Sequence, residues 1–440
     1  MPFARPRWVR FTPSSEARYV SFMHVPGPLA GVRIVDFSAV VSGPLCAMWL
    51  ADQGADVVKI ESGPDGDITR GRQEPNHHRL NGLFVNCNRG KRSLCIDVAT
   101  DEGLAVVLEM CAQADVFIQN WRPGVVEKLG LSYDAVSAVR PDIIYVSISG
   151  YGPDGPYSQR RVYDPIIQGL TGHVAVQVNP DIPIPDLHRT IVTDKATALT
   201  AAQGVCAALF ARERGAGGQH LIVPMIDVGA SFVFPDGFQR AALLDDHWAP
   251  RIPTLAETYR LVATADGHLT YYCANDREIF GLFRALGHDE WCSDERFSSP
   301  WARSQNLEML GALISEAFTA LTTEEAIQAL ERNEVAFGPV LSLDEVPLNE
   351  QIVHNQTMGV REHELLGRVR EVRPPIRYSA TPTSVPGAMA PTLGQHTHEI
   401  LVEMGRSAEQ IGSLYERGVL YTRDAATVIV AEYTSSIEKN

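Results

Sequence analysis

Residues 31–61 read GVRIVDFSAVVSGPLCAMWLADQGADVVKIE, and they set the fold class. The dense β-branched run near each end is typical of a buried strand, and the small-residue turn and apolar segment between them predict a helix. This is a β-α-β unit. The same alternation of strand and helix returns in residues 104–120 and 125–148. The sequence therefore predicts an α/β fold with a parallel sheet that is covered on both faces.

The pattern changes further along the chain. Residues 197–215 predict a long helix that ends at a glycine, and residues 220–227 predict another strand. Residues 257–274 predict two strands around an Asp-Gly turn, and short helices follow. We interpret this region as a second, smaller α+β domain. The predicted limits are an N-terminal extension over 1–28, a large domain over 29–231, a small domain over 232–347, and a return to the large domain with a tail over 348–440.

The first 22 residues contain four arginines and a single acid, Glu16. An Arg-rich, acid-poor segment is compatible with a targeting presequence. The alternatives are a natural upstream extension and a mis-assigned start, because Met23 opens a segment that could itself begin the chain.

Composition excludes several classes of protein. The 440 residues contain 38 Lys and Arg against 53 Asp and Glu, a net charge of −15, which argues against a nucleic-acid partner because a polyphosphate needs a basic surface. No run approaches the ~20 apolar residues of a membrane-spanning helix, so no membrane partner is expected. The seven cysteines form no CxxC pair, so we expect neither disulfides nor a metal site, and a cytoplasmic location.

The first β-α turn contains Ser42-Gly43-Pro44 where a dinucleotide-binding protein would have GxGxxG. Two other features favour an anionic ligand. Asn120-Trp121-Arg122 follows a predicted strand, where an aromatic ring and a guanidinium could clamp a base or a phosphate. A basic stretch could also hold phosphates, or could be a solvated loop; it consists of Arg70, Arg72, Arg79, Arg89, Lys91 and Arg92, with Glu74 as its one acid.

Four carboxylates stand in the middle of the chain: Asp164, Asp181, Asp186 and Asp194. Asp181 lies in the segment VNPDIPIP, a proline-rich loop that regular secondary structure cannot cover. A loop aspartate is most often only a turn former. Composition and spacing alone therefore do not single out a catalytic residue among the four.

Several ordered motifs resemble the class III CoA-transferases, a family that includes formyl-CoA and carnitine-CoA transferases and the related α-methylacyl-CoA racemases. The motifs include NRGKRSLCIDV, ADVFIQNWRPGVVEKLGL, SISGYGPDGPYSQRRVYDPIIQGLTG and APTLGQHTHEIL, and the resemblance runs from residue 29 to residue 420. It implies a Rossmann-like large domain, an inserted small domain and an interlocked homodimer. It also implies an acyl-CoA donor and a carboxylic acid acceptor as substrates, with no bound prosthetic group.

Positions carried over from the family assign contacts to coenzyme A. Val41, Ser42 and Gly43 would line the thioester end, and Arg72 would lie near the acyl group. Asn120, Trp121, Arg122 and Lys128 would hold the nucleotide, and Tyr151 would lie near the pantetheine. The basic stretch would then face a ligand with three phosphates.

The resemblance also implies a catalytic aspartate. Counting forward without gaps from VYDPIIQ places Asp181 at the position of the transferase nucleophile, which forms a mixed anhydride and then an enzyme-CoA thioester. Covalent catalysis of this kind divides one difficult exchange into easier steps. Two departures stand against full activity: Ile182 replaces the family's usual glycine, and no glycine-rich loop occurs in the small domain.

Two other functions remain open. A racemase needs two bases; Asp194 matches an aspartate of the racemases, but Tyr163 stands where they have a histidine, and tyrosine is a poor base at neutral pH. A weakly active acyl-CoA-binding subunit of a hetero-oligomer would explain the two departures. The identity of the donor and the acceptor stays open, and Phe234, Phe238, Trp248 and Tyr259 favour an apolar or bulky acid.

Overall fold

The structure of this protein is a computed structural model that describes residues 27–71, 79–177, 184–245, 254–383 and 388–421.

A six-stranded parallel sheet forms the centre of the larger part. Its strand order is β3-β2-β1-β4-β5-β6, and each neighbouring pair runs parallel. The predicted parallel sheet is therefore confirmed, although β3 was not predicted as a strand. The strands are β1 Arg33–Phe37, β2 Asp56–Glu61, β3 Lys91–Cys95, β4 Val116–Gln119, β5 Ile144–Ser149 and β6 Gln219–Pro224.

Helices cover both faces of this sheet, as the buried strands require. Because strand side chains alternate between faces, Ile34 joins the core on one side and Val35 joins the core on the other. The helices of this region are α1 Ser42–Asp52, α2 Gly82–Asn88, α3 Asp101–Ala112, α4 Val125–Lys128, α5 Tyr133–Val139, α6 Asp164–Leu170, α7 His173–Val176, α8 Val192–Ala211 and α9 Met225–Gly237. The first core includes residues of α1 and α8, and the second includes residues of α3 and α5.

The strand order reverses direction between β1 and β4. From β1 the chain moves outward to β2 and β3, and then crosses to β4 on the other side of β1. In open parallel sheets, ligands bind in the crevice outside the carboxyl ends of the strands at such a reversal. The turns that follow β1 and β4 are therefore where the fold itself predicts a site.

The outer edge of β3 is covered by the C-terminal part of the chain. The His396 backbone N–H donates to the Ser93 carbonyl at 3.0 Å, and the Tyr421 N–H donates to the Cys95 carbonyl at 3.1 Å. Leu420 forms an antiparallel bridge with Ile96. Helices α16 Thr397–Glu403 and α17 Ala408–Glu416 pack into the second core of the sheet.

The region after α9 contains a three-stranded antiparallel sheet with its own apolar core, in which Phe283, Phe297 and Phe318 are fully buried. The predicted turn at Asp266-Gly267 does join two of its strands. The elements are α10 Leu255–Thr258, β7 Arg260–Ala263, β8 His268–Tyr272, α11 Asp276–Ala285, α12 Pro300–Gln305, α13 Leu307–Thr319, α14 Thr323–Arg332, β9 Ala336–Pro339 and α15 Glu350–His354, followed by a hairpin of β10 Met358–His363 and β11 Gly367–Val372. The domain limits stay a prediction.

Candidate active site

A cleft of about 320 Å³ lies at the carboxyl ends of the central strands, at the reversal of strand order. It is formed by the turn after β1, the turn after β4, the end of β5 and the start of α8. Its lining includes Val40, Ser42, Asn120, Trp121, Arg122, Arg160, Arg161, Tyr163 and Asp194. The fold thus brings together residues more than 150 positions apart in the chain.

The turn between β1 and α1 is fixed by side chains from neighbouring strands. The Asn120 amide, at the end of β4, accepts a hydrogen bond from the Ala39 N–H at 2.8 Å and donates one to the Ala39 carbonyl at 2.6 Å. Trp121 donates its indole N–H to the Phe37 carbonyl at 2.9 Å. Both side chains therefore connect the ends of β1 and β4, and these hydrogen bonds fix the distance between the two sides of the crevice.

Gly43 is needed for the close approach of helix α1 to this turn. A Cβ at this position would lie 2.4 Å from the Ser38 Cβ and 3.3 Å from the Asn120 Cγ. No side chain fits there without displacing the turn. The structure therefore gives Gly43 a packing role at the base of the cleft.

Buried ions lie directly beneath the turn. Lys91 donates to the Asp36 carboxylate at 2.8 Å and to the Pro44 carbonyl at 2.8 Å, and both charged side chains are fully buried. Burial alone would raise the pKa of Asp36, but the ammonium groups of Lys91 and Lys59 more than offset this and lower it. Asp36 in turn accepts the Ser38 N–H at 3.1 Å. An ionised pair therefore fixes both ends of the turn.

Asp194 is the one carboxylate in the described lining of the cleft. Burial and the nearby charge of Asp164 raise its pKa to about 6, while a hydrogen bond with the Ser42 side chain acts in the opposite direction. Asp164 itself is buried and accepts hydrogen bonds from the Thr193 N–H at 2.7 Å and the Asp194 N–H at 3.1 Å. Asp164 therefore caps the start of α8 and sets the position of Asp194. A carboxyl with a raised pKa in a cleft is a candidate for chemistry.

Of the other two carboxylates, the structure describes one. Asp186 is exposed and forms an ion pair with Arg189 at 2.9 Å, which is the ordinary role of a loop aspartate. Asp181 lies outside the described residues. The sequence predicted this helix only from residue 197, whereas α8 begins at Val192 and has Asp194 in its first turn, so the pattern did not show that Asp194 faces the cleft.

Three arginines give the cleft a positive lining. Arg122, Arg160 and Arg161 are exposed, and within the described residues none of them forms an ion pair with a carboxylate. The guanidinium of Arg160 lies 3.7 Å from the centre of the Tyr157 ring, a cation–π contact that leaves its hydrogen-bond donors available. Guanidinium groups of this kind bind phosphates and carboxylates well.

The basic stretch is a different case: its contact with phosphates stays a prediction, and its five described members already have partners within the chain. Each of them pairs with a carboxylate of the chain, and Arg70 and Lys91 are almost fully buried. Their charges are used inside the fold, so they leave little attraction for a ligand. The partners are Glu61 for Arg70, Asp65 for Arg79, Asp52 for Arg89, Asp36 for Lys91, and Asp56, Glu399 and Glu403 for Arg92.

Among the remaining predicted site residues, Val41, Lys128 and Tyr151 are not part of the described lining of the cleft. Val41 is buried and directly precedes helix α1. Lys128 is exposed at the end of α4, and Tyr151 packs edge-on against Tyr157 with ring centres 5.5 Å apart. Arg72 lies outside the described residues. Their contacts with coenzyme A stay predictions.

The described residues were also searched for a metal site and for a membrane-spanning helix. In the described ranges, no cluster of three or more histidine, cysteine or acidic side chains is arranged to hold a metal ion. Among the helices of the described residues, none combines the length and the apolar character needed to cross a membrane.

Comparison with known proteins agrees with this arrangement. The profile of CoA-transferase family III matches residues 29–397. A succinate–glutarate CoA-transferase from Agrobacterium fabrum is 32% identical over 86% of this chain and 96% of its own length. A formyl-CoA:oxalate CoA-transferase from Streptomyces avermitilis is 30% identical over 89% of this chain and 99% of its own.

The fold is also similar to that of a solved structure. The crystal structure of a CAIB/BAIF family protein from Brucella suis superposes with a TM-score of 0.74 at 30% identity, and the match covers 86% of this chain and 100% of the other. The chain therefore belongs to CoA-transferase family III and is an enzyme that transfers coenzyme A.

Proposed function

We propose that this enzyme moves coenzyme A from an acyl-CoA donor to a carboxylic acid acceptor through a covalent aspartyl intermediate, and that Asp181, which stands at the position of the family's nucleophile, forms it. The observation that carries the place of this reaction is the cleft at the reversal of strand order, with its positively charged wall. Asp194, whose carboxylate lines this cleft, is the competing candidate.

The proposed reaction exchanges thioesters and anhydrides without ATP. The catalytic aspartate attacks the donor thioester, the C–S bond breaks, and a mixed anhydride and the CoA thiolate form. The thiolate attacks the aspartyl carbonyl, which releases the donor acid and leaves an enzyme-CoA thioester. The acceptor carboxylate attacks this thioester and frees the thiolate again. The thiolate then attacks the acceptor carbonyl, which gives the new acyl-CoA and restores the aspartate.

The surroundings of Asp194 make it the competing candidate for this role. With a pKa of about 6, the carboxyl is about nine-tenths ionised at pH 7, so the attacking form dominates. Burial removes part of its hydration, and the Ser42 side chain and the Asp164 cap hold its orientation. Arg122, Arg160 and Arg161 would attract the phosphates of coenzyme A.

Trypsin separates the two candidate nucleophiles. Cleavage after Arg161, Arg189 and Lys195 places Asp181 and Asp194 on different peptides, residues 162–189 and 190–195. The enzyme is incubated with an acyl-CoA, the thioester is trapped with hydroxylamine or borohydride, and the peptides are measured by mass spectrometry. A mass change on residues 190–195 supports Asp194. A change on residues 162–189 would instead support Asp181, and no change on either peptide would contradict the covalent mechanism.

Three aspartate variants complete this test. Asp181→Asn should abolish transfer and leave the affinity for CoA nearly unchanged, whereas Asp194→Asn should still form the trapped thioester. Asp186→Asn is the matched control, because Asp186 is exposed and forms an ion pair with Arg189. Full activity of Asp181→Asn would refute its assignment.

The cleft favours transfer over racemisation. Its described lining contains one carboxylate and no histidine, whereas racemisation needs a base on each face of the α-carbon. A racemase would exchange the α-proton in deuterated water without any acceptor acid. A subunit that only binds acyl-CoA would show tight binding with no trapped thioester.

The substrates of the relatives guide the choice of acids. The names of two relatives specify succinate, glutarate, formyl-CoA and oxalate, so we propose a short dicarboxylic acid as acceptor. Phe234 and Phe238, stacked with ring centres 5.2 Å apart, favour the contrasting choice of an apolar acid. A screen of both kinds of acid against several acyl-CoA donors distinguishes them.

We further infer an interlocked homodimer that works in the cytoplasm. The exposed aromatic side chains of Phe210, Phe232 and Phe234 support a subunit interface, because a large apolar surface is otherwise unfavourable in water.

All seven cysteines are free, which fits a reducing compartment. Sedimentation analysis and localisation of the tagged chain test the two statements separately.

A further inference from the structure

A chain of hydrogen bonds crosses the sheet from strand β6 to the cleft. His220, an exposed residue of β6, contacts the Ser147 hydroxyl of β5 with 2.8 Å between Nε2 and Oγ. The Gln119 amide at the end of β4 donates to the same Oγ at 2.8 Å, and its carbonyl oxygen accepts the Trp121 N–H at 2.8 Å. Trp121 lines the cleft. A histidine on the last strand of the sheet is therefore connected through two side chains to the turn after β4.

The donors and acceptors of this chain fix the direction of every bond in it. The Trp121 backbone N–H can only donate, so the Gln119 carbonyl oxygen faces it and the Gln119 NH₂ group faces Ser147. The Ser147 oxygen accepts that bond, and its single proton points to His220. Nε2 must then accept, which requires a neutral ring with its proton on Nδ1. A protonated ring would donate instead, and the partly buried Ser147 hydroxyl would lose its acceptor, which costs free energy.

Aromatic rings hold His220 in the position that this chain needs. Tyr133 of α5 stacks on it with ring centres 4.8 Å apart, and Tyr145 of β5 meets it edge-on at 5.1 Å. In the described chain, the charged groups that act on the ring are the carboxylates of Asp134 in α5 and Glu127 in α4. Burial lowers the pKa of His220, and the two carboxylates oppose this only in part. The ring is therefore neutral at pH 7 and takes up a proton only in more acidic solution.

We propose that His220, Ser147 and Gln119 are positioning residues for the binding of coenzyme A. By holding the Trp121 N–H, they fix where the Trp121 ring and the Arg122 guanidinium meet the ligand. The proposal rests on the proposed function, in which the turn after β4 binds coenzyme A. It does not depend on which aspartate is the nucleophile. All three side chains act through the Trp121 backbone, so none of them needs to touch the ligand.

The chain also couples the binding of coenzyme A to protonation. Because its bonds need a neutral His220, a proton on this ring weakens the hold on Trp121 and lowers the affinity for coenzyme A. Linkage requires the reverse effect as well, so bound coenzyme A lowers the pKa of His220. The affinity should therefore fall as the pH drops through the range in which His220 is protonated.

Two His220 variants separate the acceptor from the titration, with the Kd for free coenzyme A measured by calorimetry at pH 7.5 and pH 5. Glutamine can place an oxygen near the position of Nε2 and does not titrate, so His220→Gln should bind within about threefold of the wild type at pH 7.5. At pH 5 the wild type should lose about fivefold more affinity than His220→Gln. This comparison cancels the titration of the phosphate of coenzyme A itself, whose second pKa is about 6. His220→Phe keeps a ring beside Tyr133 but has no acceptor, so its Kd should rise about tenfold at pH 7.5, and Ser147→Ala should behave alike.

His396→Asn is the matched control. His396 is a second histidine whose pKa is lowered by burial, and its Nδ1 accepts the Ser93 N–H at 3.1 Å beside β3, at the opposite end of the sheet. Asparagine keeps an acceptor near Nδ1, so the Kd and its dependence on pH should match the wild type. Wild-type affinity in both His220→Phe and Ser147→Ala, or an equal loss in His396→Asn, would overturn the proposal. A His220→Gln variant that loses as much affinity at pH 5 as the wild type would overturn the coupling to protonation.

Kinetics distinguishes a loss of positioning from a loss of folded enzyme. In His220→Phe, the KM for acyl-CoA should rise about tenfold while kcat stays within about threefold, because the contacts of this turn are the same in the ground state and the transition state. A smaller folded fraction would instead lower kcat and leave KM unchanged. That result would count against the proposal.

Histidine NMR and hydrogen exchange follow the chain of bonds without any transfer reaction. In spectra of the enzyme with isotope-labelled histidine, the signal that is missing from His220→Gln belongs to His220, and added coenzyme A should lower its pKa. An unmoved pKa would contradict the coupling. If the wild type binds no coenzyme A, the proposed function fails, and exchange of the Trp121 amide proton still decides: faster exchange in His220→Phe supports the inference, and exchange at the wild-type rate overturns it.

Discussion

Replacing Asp194 by Asn should stabilise the folded chain at pH 7.5. Burial and the charge of Asp164 raise the pKa of Asp194 from 3.8 to about 6. The folded state therefore holds this proton more tightly than the unfolded state does, and the ionised carboxylate costs stability above pH 6. The cost disappears as the pH falls below the unfolded value of about 3.8. Asparagine has a similar shape and carries no charge at any of these pH values.

The size of the gain follows from the shift. About two pKa units correspond to about 3 kcal/mol at 1.36 kcal/mol per unit. The side chain is only partly covered and faces an open cleft, so water screens part of this penalty. We expect a gain of about 1–2 kcal/mol in the free energy of unfolding at pH 7.5 after that reduction.

Urea unfolding of the wild type and the variant at pH 7.5 and at pH 4 measures this gain. The gain should shrink to a small part of its size at pH 4, because Asp194 is then protonated in the folded wild type. Asp186→Asn serves as the control and should not stabilise, since burial does not oppose the charge of that exposed aspartate. A gain of equal size at both pH values, or a loss at pH 7.5, would refute the assigned surroundings of Asp194.

Three other variants test the site and its support. Gly43→Ala places a Cβ 2.4 Å from the Ser38 Cβ, so we expect a loss of about 1–3 kcal/mol and a lower melting temperature by scanning fluorimetry; an unchanged value would contradict the packing role. Arg161→Gln should weaken CoA binding, measured by calorimetry, by about tenfold at low salt and by less at high salt; unchanged affinity at low salt would show that Arg161 does not bind a phosphate of coenzyme A. Lys91→Met leaves the Asp36 carboxylate buried without its partner and should cost about 3–5 kcal/mol; a soluble variant with the wild-type urea midpoint would argue against an ionised pair.

The sequence predicted the parallel sheet well because its strands β1, β2, β4 and β5 contain short β-branched and apolar runs. It did not predict β3, whose residues KRSLC begin with two cations. Lys91 is compatible with a buried strand only because Asp36, 55 positions earlier, reaches it. Partners at such separations leave no periodic signal, so the same charges were interpreted as a phosphate-binding surface.

The site was predicted in part for a similar reason. Asn120 and Arg122 were recognised from a local motif at a strand end and Ser42 from the family resemblance, and the structure places all three around one cleft. Gap-free counting selected Asp181 as the nucleophile, which stays a prediction, and treated Asp194 only as a racemase position. The place of Asp194 in the cleft depends on where α8 begins, and the Asp164 cap fixes that point from 30 positions away. Local sequence does not reveal such a contact.

The covering of β3 by the C-terminal segment has a consequence for synthesis of the chain. Ser93 and its partner His396 are 303 positions apart, so the edge of the sheet has no cover until nearly the whole chain has left the ribosome. At about 5–20 residues per second, this interval lasts roughly 15 to 60 s. An open strand edge is a template for pairing with another chain. Nascent or truncated forms that end before residue 396 should therefore depend on chaperones, and a premature stop codon late in the gene should yield aggregates rather than a soluble, weakened enzyme.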